Sequence, residues 1–308
     1  MRIALIGQAA FGEAVFRALR DAGEQVVVVS SVRGPKERPD PLYAAARAEG
    51  VPVYSTARLK HLDVLDRYQA TQPDLCVMAF VTHILPEPVI HSPRHGTIEY
   101  HPSLLPRHRG RSAMHWAIRM GDTRTGLTVF WVDEGIDTGP ILLQREVDIG
   151  SDDTVGSLYF DKLYPMGIDA LVEAVRMVRE GTAPAIPQDP ALATYEHPAD
   201  DTNSAILWDE PAQQVYNLVR GSIPTPGAHA RLGGLLVRFW EARFAPVALS
   251  GAPGTVLSIG ETVDIELHGG VLHARRLSLD GGPKLPAPEF AREARLRPGD
   301  RFADGRLD

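Results

Sequence analysis

The stretch MRIALIGQAAFGEAVFRALRDAGEQVVVV (residues 1–29) decides the fold. Residues 2–6 form a short apolar run that predicts a buried β-strand. Residues 12–22 carry apolar side chains at helical spacing, and Gly23 is the kind of residue that ends a helix. The run at residues 25–29 predicts a second buried strand. A strand, a helix and a strand in this order indicate a βαβ unit, which places its strands parallel in one sheet.

The same alternation continues along the first half of the chain. Residues 40–49 have a helical pattern, and apolar runs at residues 51–54 and 75–79 predict two further strands. Residues 154–179 predict one helix, or two helices with a break at residues 166–167. We therefore predict a Rossmann-like α/β domain built on a parallel sheet.

The turn after the first strand, GQAAFG (residues 7–12), invites comparison with the glycine-rich turn of dinucleotide-binding proteins. That turn needs a second glycine two residues after the first, and this chain has Ala9 there. We interpret the segment as a tight turn between a strand and a helix, without a nucleotide.

Composition and charge limit the classes of function. The 308 residues are 44% hydrophobic and 23% charged, which is typical of a globular protein with enough chain for two domains. No apolar run approaches the roughly 18 residues of a membrane span, and the first apolar run stops at Gly7, too early for a signal peptide. The net charge of −7 disfavours a large nucleic-acid surface. We expect a cytoplasmic protein that has no membrane contact.

The chain has one cysteine, Cys76. A single cysteine excludes an internal disulfide and a cysteine-rich metal site, and it suits the cytoplasm. Because Cys76 lies within the apolar run of residues 74–80, we interpret it as a buried strand residue rather than a nucleophile.

The last third of the chain has a different pattern. Residues 181–201 are rich in proline and indicate a linker, and residues 211–220 predict a short helix. Short strands punctuated by glycine and proline follow and predict a small antiparallel barrel. These strands are residues 235–240, 254–258, 263–267 and 271–277. We predict a catalytic domain over residues 1–183, a linker over 184–202 and an OB-like β-barrel domain over 203–308.

Two motifs suggest catalysis: HPSLLPRHRG (residues 101–110) and DEGIDTG (residues 133–139). The first holds a histidine in a turn punctuated by proline, and the second is an acidic loop flanked by glycine. A histidine that titrates near neutrality and an acid that orients it are what a buried acid–base pair needs. The chain is therefore a candidate enzyme.

These motifs resemble the paired signatures of the formyltransferase family that uses 10-formyltetrahydrofolate. Within that family the chain is most similar to the hydrolase domain of 10-formyltetrahydrofolate dehydrogenase, and it also resembles methionyl-tRNA formyltransferase. The resemblance covers roughly residues 1–230. Four shorter segments carry the similarity to the hydrolase domain: FWVDEGID (130–137), LLQ (142–144), DDTV (152–155) and ATYE (193–196).

The resemblance implies a catalytic histidine at His101 and a catalytic aspartate at Asp137, with 10-formyltetrahydrofolate as the formyl donor and no metal. Formyl transfer passes through a tetrahedral intermediate whose oxygen becomes negative, so an imidazolium or amide donor beside it stabilises the reaction. His101 is placed to do this. Asp137 would hold the imidazole and, through water, pass a proton to the departing folate nitrogen.

Glu99 departs from the family pattern, which has an asparagine two residues before the histidine. An ionised carboxylate there would repel the oxyanion. Three interpretations remain open: burial beside Asp137 keeps Glu99 neutral so that it donates, or Glu99 is ionised and acts as a base, or it turns outward.

The resemblance also places the folate in an apolar slot between two loops. The residues that would bind it are Phe80, Thr82, Ile84, Leu85, Pro86, Val132, Asp133, Glu134 and Gly135. Five residues of the first motif would shape its turn: Ser103, Leu104, Pro106, Arg109 and Gly110. His83 has no partner at metal spacing, and we interpret it as a loop residue that faces the site. The cluster of Arg107, His108 and Arg109 either steers an anionic substrate or braces the turn.

The acceptor of the formyl group is the remaining question. Members that act on tRNA carry a longer basic loop after the second strand, whereas residues 33–41 here are short and mixed in charge. We therefore expect transfer to a small amine. Hydrolysis by water and transfer to methionyl-tRNA are the alternatives within the family, and a non-catalytic folate-binding protein is the alternative of another class. The oligomeric state stays open.

Overall fold

The structure is a computed structural model, and it describes residues 1–32 and 38–306. The chain divides into two compact units. The first comprises Met1–Arg111, Gly126–Val147 and Phe160–Tyr195, and the second comprises Ser112–Thr125, Asp148–Tyr159 and Glu196–Asp308. Residues 184–195 of the predicted linker belong to the first unit. The domain boundaries at residues 183 and 203 stay a prediction.

The elements up to residue 148 are, in chain order, β1 (Arg2–Gly7), α1 (Ala9–Asp21), β2 (Gln25–Ser31), α2 (Pro41–Ala48), β3 (Val53–Ser55), α3 (Leu62–Gln69), β4 (Leu75–Ala79), α4 (Glu87–His91), β5 (Thr97–His101), α5 (Ala113–Arg119), β6 (Arg124–Trp131) and β7 (Ile141–Asp148). The later elements are α6 (Val155–Ser157), a π-helical turn (Leu158–Leu163), α7 (Tyr164–Glu180), α8 (Ala212–Arg220), β8 (Ala228–Leu232), β9 (Leu235–Pro246), β10 (Val256–Ile259), β11 (Val263–Leu267), β12 (Gly270–Leu279), β13 (Leu285–Pro286) and α9 (Ala287–Glu293). Short 3-10 turns lie at Thr56–Arg58, Pro190–Leu192 and Asp201–Asn203.

The sheet of the first unit has the strand order β3-β2-β1-β4-β5-β6-β7. Strands β1 to β5 are parallel, and β6 runs antiparallel to β5. Strands β1 and β4 are buried almost throughout, as expected for parallel strands that are covered on both faces. This confirms the predicted Rossmann-like domain.

The turn between β1 and α1 is tight because Gly7 touches the neighbouring strand. A Cβ on Gly7 would lie 2.4 Å from the carbonyl oxygen of Ala79. Helix α1 begins at Ala9, three residues earlier than predicted, where the backbone N–H donates to the Asp40 carboxylate at 2.7 Å. A carboxylate at this helix start occupies a donor that a phosphate would need, which agrees with the interpretation of a turn without a nucleotide.

The helical stretch that follows the acidic motif is continuous over residues 155–180, as the one-helix alternative predicted. The irregularity is the π-helical turn Leu158–Leu163, and no break occurs at residues 166–167. Gly167 lies inside α7, where a Cβ would be 2.7 Å from the Tyr100 ring. The glycine serves close packing of the helix on β5 instead of ending the helix.

The sheet of the second unit is antiparallel, with the order β10-β11-β12-β9-β8 and β13 paired to β12. Residues 301–303 join its two edges: Phe302 N donates to Gly254 O at 2.9 Å, and Ala303 N donates to Arg231 O at 2.8 Å. The sheet therefore closes around an aromatic core that includes Trp208 and Phe239. This confirms the predicted small β-barrel.

Cys76 is fully buried in β4, as predicted. Burial raises the pKa of its thiol to about 12, so the reactive thiolate is not populated near neutral pH. Helices long and apolar enough to cross a membrane do not occur among residues 1–32 and 38–306.

Candidate active site

The candidate site lies at the end of β5, next to the point where the sheet changes from parallel to antiparallel. Ile98 and Tyr100 of this strand are buried in the hydrophobic core. Since side chains alternate along a strand, Glu99 and His101 share the opposite face. Spacing along β5 thus brings a carboxyl group and an imidazole to one surface.

His101 is buried, and both of its ring nitrogens have defined neighbours. Its Nε2 lies 2.8 Å from the carbonyl oxygen of His108. Because a carbonyl can only accept, Nε2 carries a proton. The other nitrogen, Nδ1, lies 3.6 Å from Asp137 Oδ2. Nδ1 is therefore the ring nitrogen that faces a carboxylate.

Residues 102–110, called here the proline loop, are fastened to the sheet. Ser103 Oγ donates to Arg107 O at 2.7 Å, and Thr128 Oγ1 on β6 donates to Ser103 O at 2.7 Å. Gln144 on β7 donates to Leu105 O at 2.8 Å. These bonds fix the backbone that carries the His108 carbonyl, and so they fix the orientation of His101.

The other predicted residues of this turn also have defined places. Leu104 packs against Gly126: a Cβ on Gly126 would lie 2.7 Å from the Leu104 side chain. Pro106 follows a cis peptide bond, and its carbonyl accepts from Thr194 N at 3.2 Å. Gly110 has a φ of +97°, a conformation that favours glycine.

Asp137 belongs to residues 133–139, called here the acidic loop. Its φ is +56°, in the left-handed region, and its side chain is 11% exposed. Asp137 Oδ2 accepts a hydrogen bond from Gly110 N at 2.6 Å. The carboxylate is thus held between the proline loop and His101.

The acidic loop is folded by its own first residue. Asp133 Oδ1 accepts from Gly135 N at 3.0 Å and from Thr138 Oγ1 at 2.6 Å. A Cβ on Gly135 would lie 2.0 Å from Thr138 Oγ1, and a Cβ on Gly139 would lie 1.7 Å from Trp131 O. The glycines of the motif are required by these close approaches.

Glu99 carries a half-buried carboxyl group for which the described part of the chain provides no hydrogen-bond partner. Burial raises the pKa of Glu99 well above its usual range, and the charge of Asp137 raises it further. Among the three interpretations of this residue, the structure therefore favours a neutral acid that can donate.

The predicted folate slot involves the loop after β4 and the acidic loop. Leu85 and Val132 pack in the same cluster beneath the sheet, so the two loops are neighbours. Phe80 has a φ of +63° and is 41% exposed, and Ile84 is 90% exposed. Ile136 of the acidic loop is 58% exposed. Apolar side chains left open in this way offer surface to a flat ring system.

Most of the polar residues predicted for the slot are exposed. Thr82 and His83 are exposed, and Thr82 Oγ1 lies 3.4 Å from His83 Nδ1. Pro86 precedes α4, and Glu134 is exposed in the acidic loop. Groups of three or more His, Cys, Asp or Glu side chains able to hold a metal ion do not occur in the described residues.

Arg109 braces the loops. It is buried, its Nε and Nη2 donate to Gln188 Oε1 at 3.2 and 2.7 Å, and its Nη1 donates to Tyr195 OH at 3.2 Å. His108 is also buried, and its N–H donates to Thr194 Oγ1 at 2.8 Å. Of the predicted basic cluster, Arg107 alone is exposed.

Sequence reasoning did not single out the partners that residues 188–195 supply. Thr194 and Tyr195 lie in the ATYE segment, which was noted only for its resemblance. Gln188 had no local signal, because its contacts lie about 50 residues earlier in the chain.

A buried histidine, a largely buried aspartate, a carboxyl group of raised pKa and open apolar walls define an acid–base site that suits acyl transfer. Residues 1–175 match the family described as Formyl transferase, and residues 200–295 match the family described as Formyl transferase, C-terminal domain. The chain belongs to the formyl transferase family.

Individual relatives agree with this assignment. Mitochondrial 10-formyltetrahydrofolate dehydrogenase of Mus musculus is 41% identical over 305 residues, which are 94% of this chain and 33% of that protein. Methionyl-tRNA formyltransferase of Desulforamulus reducens is 33% identical over 307 residues, which are 97% of this chain and 96% of that protein. The chain thus spans about a third of the dehydrogenase and nearly all of the transferase.

The fold is shared with solved structures. HypX from Aquifex aeolicus in complex with tetrahydrofolic acid superposes with a TM-score of 0.70 and 20% sequence identity, over 96% of this chain and 47% of that one. At this identity the likeness concerns the fold.

Proposed function

We propose that this protein removes the formyl group of 10-formyltetrahydrofolate and transfers it to a small amine. The observation that carries the proposal is the placement of His101 Nδ1 at 3.6 Å from Asp137 Oδ2, on the face of β5 that also bears Glu99. In a member of the formyl transferase family, this set of groups serves acyl transfer.

The reaction makes one bond and breaks another. The amine nitrogen attacks the formyl carbon, the carbonyl oxygen becomes negative, and the bond from carbon to the folate nitrogen then breaks. The imidazole of His101 stabilises the negative oxygen by donating to it. Asp137 accepts a proton from the attacking amine and returns one, through water, to the folate nitrogen.

Glu99 takes the place of the family's amide donor. A neutral carboxylic acid has one O–H to give, so it donates to the developing oxyanion as an amide N–H would. This role requires the raised pKa of Glu99, because an ionised carboxylate has no proton to donate.

The folate is proposed to lie between the loop after β4 and the acidic loop. The open side chains of Phe80 and Ile84 would cover its ring system, as would Ile136. The remaining residues of the proposed slot are Thr82, Leu85, Pro86, Val132, Asp133, Glu134 and Gly135.

A small amine is proposed as the acceptor because the chain is acidic overall, with a net charge of −7. Binding of tRNA depends on neutralising phosphates, which such a charge disfavours. Residues 33–37, within the segment compared with the basic loop of tRNA-directed members, lie outside the described residues. We place the reaction in the cytoplasm, because a reducing compartment keeps a single cysteine unpaired.

The test is a progress curve of tetrahydrofolate release from 10-formyltetrahydrofolate, first in water alone and then with a panel of amino sugars and amino acids. We expect slow release in water and faster release with an accepted amine. The changes His101→Ala and Asp137→Asn should each reduce the rate by about 100-fold or more. Rapid release without an amine would make the protein a hydrolase instead. Turnover that survives both substitutions would reject the roles assigned here.

A further inference from the structure

Asp137 needs support from outside its own loop. Its backbone is left-handed, a conformation that is unfavourable for a residue other than glycine. We propose that Gln188 and Tyr195 are positioning residues that hold Asp137 in this conformation, facing His101. The inference rests on the proposed function, in which Asp137 transfers the proton.

Gln188 binds the acidic loop from beyond β7. Its Nε2 donates to Asp137 O at 2.9 Å and to Gly139 O at 2.8 Å. Both donor hydrogens of the amide are thus used on the two carbonyls that flank Thr138. Its Oε1 accepts two bonds from Arg109, so the amide cannot turn over without losing all four contacts.

Tyr195 binds the loop on the other side of Asp137. Its hydroxyl donates to Ile136 O at 3.2 Å and accepts from Arg109 Nη1 at 3.2 Å. The Arg109 guanidinium also lies 5.3 Å from the centre of the Tyr195 ring. The carbonyls of Ile136, Asp137 and Gly139 are therefore all bound by two side chains that share Arg109.

Arg109 closes the network onto the carboxylate itself. Its own backbone N–H donates to Thr194 O at 3.0 Å, which fixes the peptide that follows. The next N–H, that of Gly110, donates to Asp137 Oδ2 at 2.6 Å. The backbone of Asp137 is thus tied through Gln188 to the buried Arg109 guanidinium, and its carboxylate is tied to the peptide that follows Arg109. Loss of the Gln188 donors would free the backbone to relax away from His101.

The experiment uses Gln188→Glu, which keeps the oxygen acceptors for Arg109 and removes both donors to the acidic loop. Misplacing a reacting group by about 1 Å costs up to 100-fold in rate. We expect kcat to fall at least tenfold while KM for 10-formyltetrahydrofolate stays within about twofold. Tyr195→Phe should have a smaller effect of the same kind.

Matched controls separate positioning from general damage. Gln213→Glu removes an amide donor to Asn217 in the second unit, and Tyr164→Phe removes a hydroxyl bond to Ala10 in the first. Both should keep kcat within twofold. In a double-mutant cycle, Gln188→Glu added to Asp137→Asn should cost nothing further, because a positioning residue has no effect once the group it positions is gone.

A second readout does not depend on turnover. The 15N resonance of His101 Nδ1, which faces Asp137, should move in Gln188→Glu and stay in place in Gln213→Glu. An unmoved resonance would overturn the inference, as would an undiminished kcat or an equal loss in the Asp137→Asn background. If the native protein releases no tetrahydrofolate, the proposed function fails, and the resonance alone decides the inference.

Discussion

Glu99 and Asp137 put two carboxyl groups beside one imidazole. Burial disfavours the charged form of Glu99, and the like charge of Asp137 disfavours it further, so the pKa of Glu99 is raised. In the proposed mechanism an oxyanion would meet the Glu99 acid on one side and the His101 imidazole on the other. In that mechanism the neutrality of Glu99 is a condition for activity, and we expect the activity to be sensitive to alkali.

Replacing Glu99 by its neutral amide should show this. The folded pKa of Glu99 is raised, so its contribution to stability is complete below the unfolded value near 4.5 and is lost as pH rises toward the folded value. We expect Glu99→Gln to gain stability relative to the native protein by up to about 1.4 kcal/mol per pH unit over that window. Denaturant titrations from pH 5 to 8 measure it.

The activity of Glu99→Gln is a second test of whether Glu99 is neutral. Its amide keeps a donor, so formyl release should stay within about tenfold of native at pH 6 and should lack the native decline at alkaline pH. Glu210→Gln, which alters an exposed carboxyl group, is the control. A variant that tracks the native pH dependence of stability would mean that Glu99 is ionised in the folded protein.

At the scale of the elements, sequence patterns predicted what local physics determines. Strands β4 and β11 match their apolar runs residue for residue. The start of α1 was missed because Asp40, far along the chain, accepts from its first N–H. The π-helical turn before α7 was missed because no composition distinguishes it from an α-helix.

The residues of the candidate site also divide into those that the sequence predicts and those that it does not. His101 and Asp137 lie within two motifs whose residue types indicate acid–base chemistry, and Glu99 lies two residues before the first motif. Gln188 and Tyr195 act through contacts with backbone that lies 51 and 59 residues away, and such contacts leave no periodicity to read.

Helix α7 offers a test in which propensity and packing disagree. Alanine favours a helix over glycine by about 1 kcal/mol. At Gly167, however, a Cβ would meet the Tyr100 ring at 2.7 Å and the Phe11 ring at 3.0 Å, and overpacking costs about 1–3 kcal/mol. We expect Gly167→Ala to lower the free energy of unfolding by about 1 kcal/mol, measured by denaturant titration.

Gly156→Ala in α6 is the matched control, since its nearest contact would be an ordinary 3.5 Å to Pro224. It should be neutral or stabilising. If Gly167→Ala is also stabilising, the rings of Phe11 and Tyr100 yield more easily than their packing indicates.

Across the whole molecule, buried ionisable groups act on stability in opposite directions. Glu99, in the first unit, loses its contribution as pH rises. Two histidines of the second unit act against it. Burial, with Arg119 adding, lowers the pKa of His115 to about 4, and burial also lowers the pKa of His229. Between about pH 4.5 and 6.5, Glu99 and the two histidines change the free energy of unfolding in opposite directions. The effect of one group is therefore measured by comparing a variant of that group with the native protein at the same pH.

The variant His115→Gln tests how much of the stability lost at acid pH is due to His115. In the native protein His115 Nε2 lies 3.1 Å from Thr225 O, and its buried Nδ1 has no partner among the described residues, so a second proton has nowhere to bond. A histidine whose folded pKa is lowered contributes stability that is present above the unfolded value near 6.5 and is lost as pH falls. Between pH 7 and pH 5, His115→Gln should therefore lose about 1–2 kcal/mol less free energy of unfolding than the native protein. The exposed His95→Gln should follow the native curve, and parallel curves for His115→Gln as well would show that His115 is protonated in the folded barrel unit without cost.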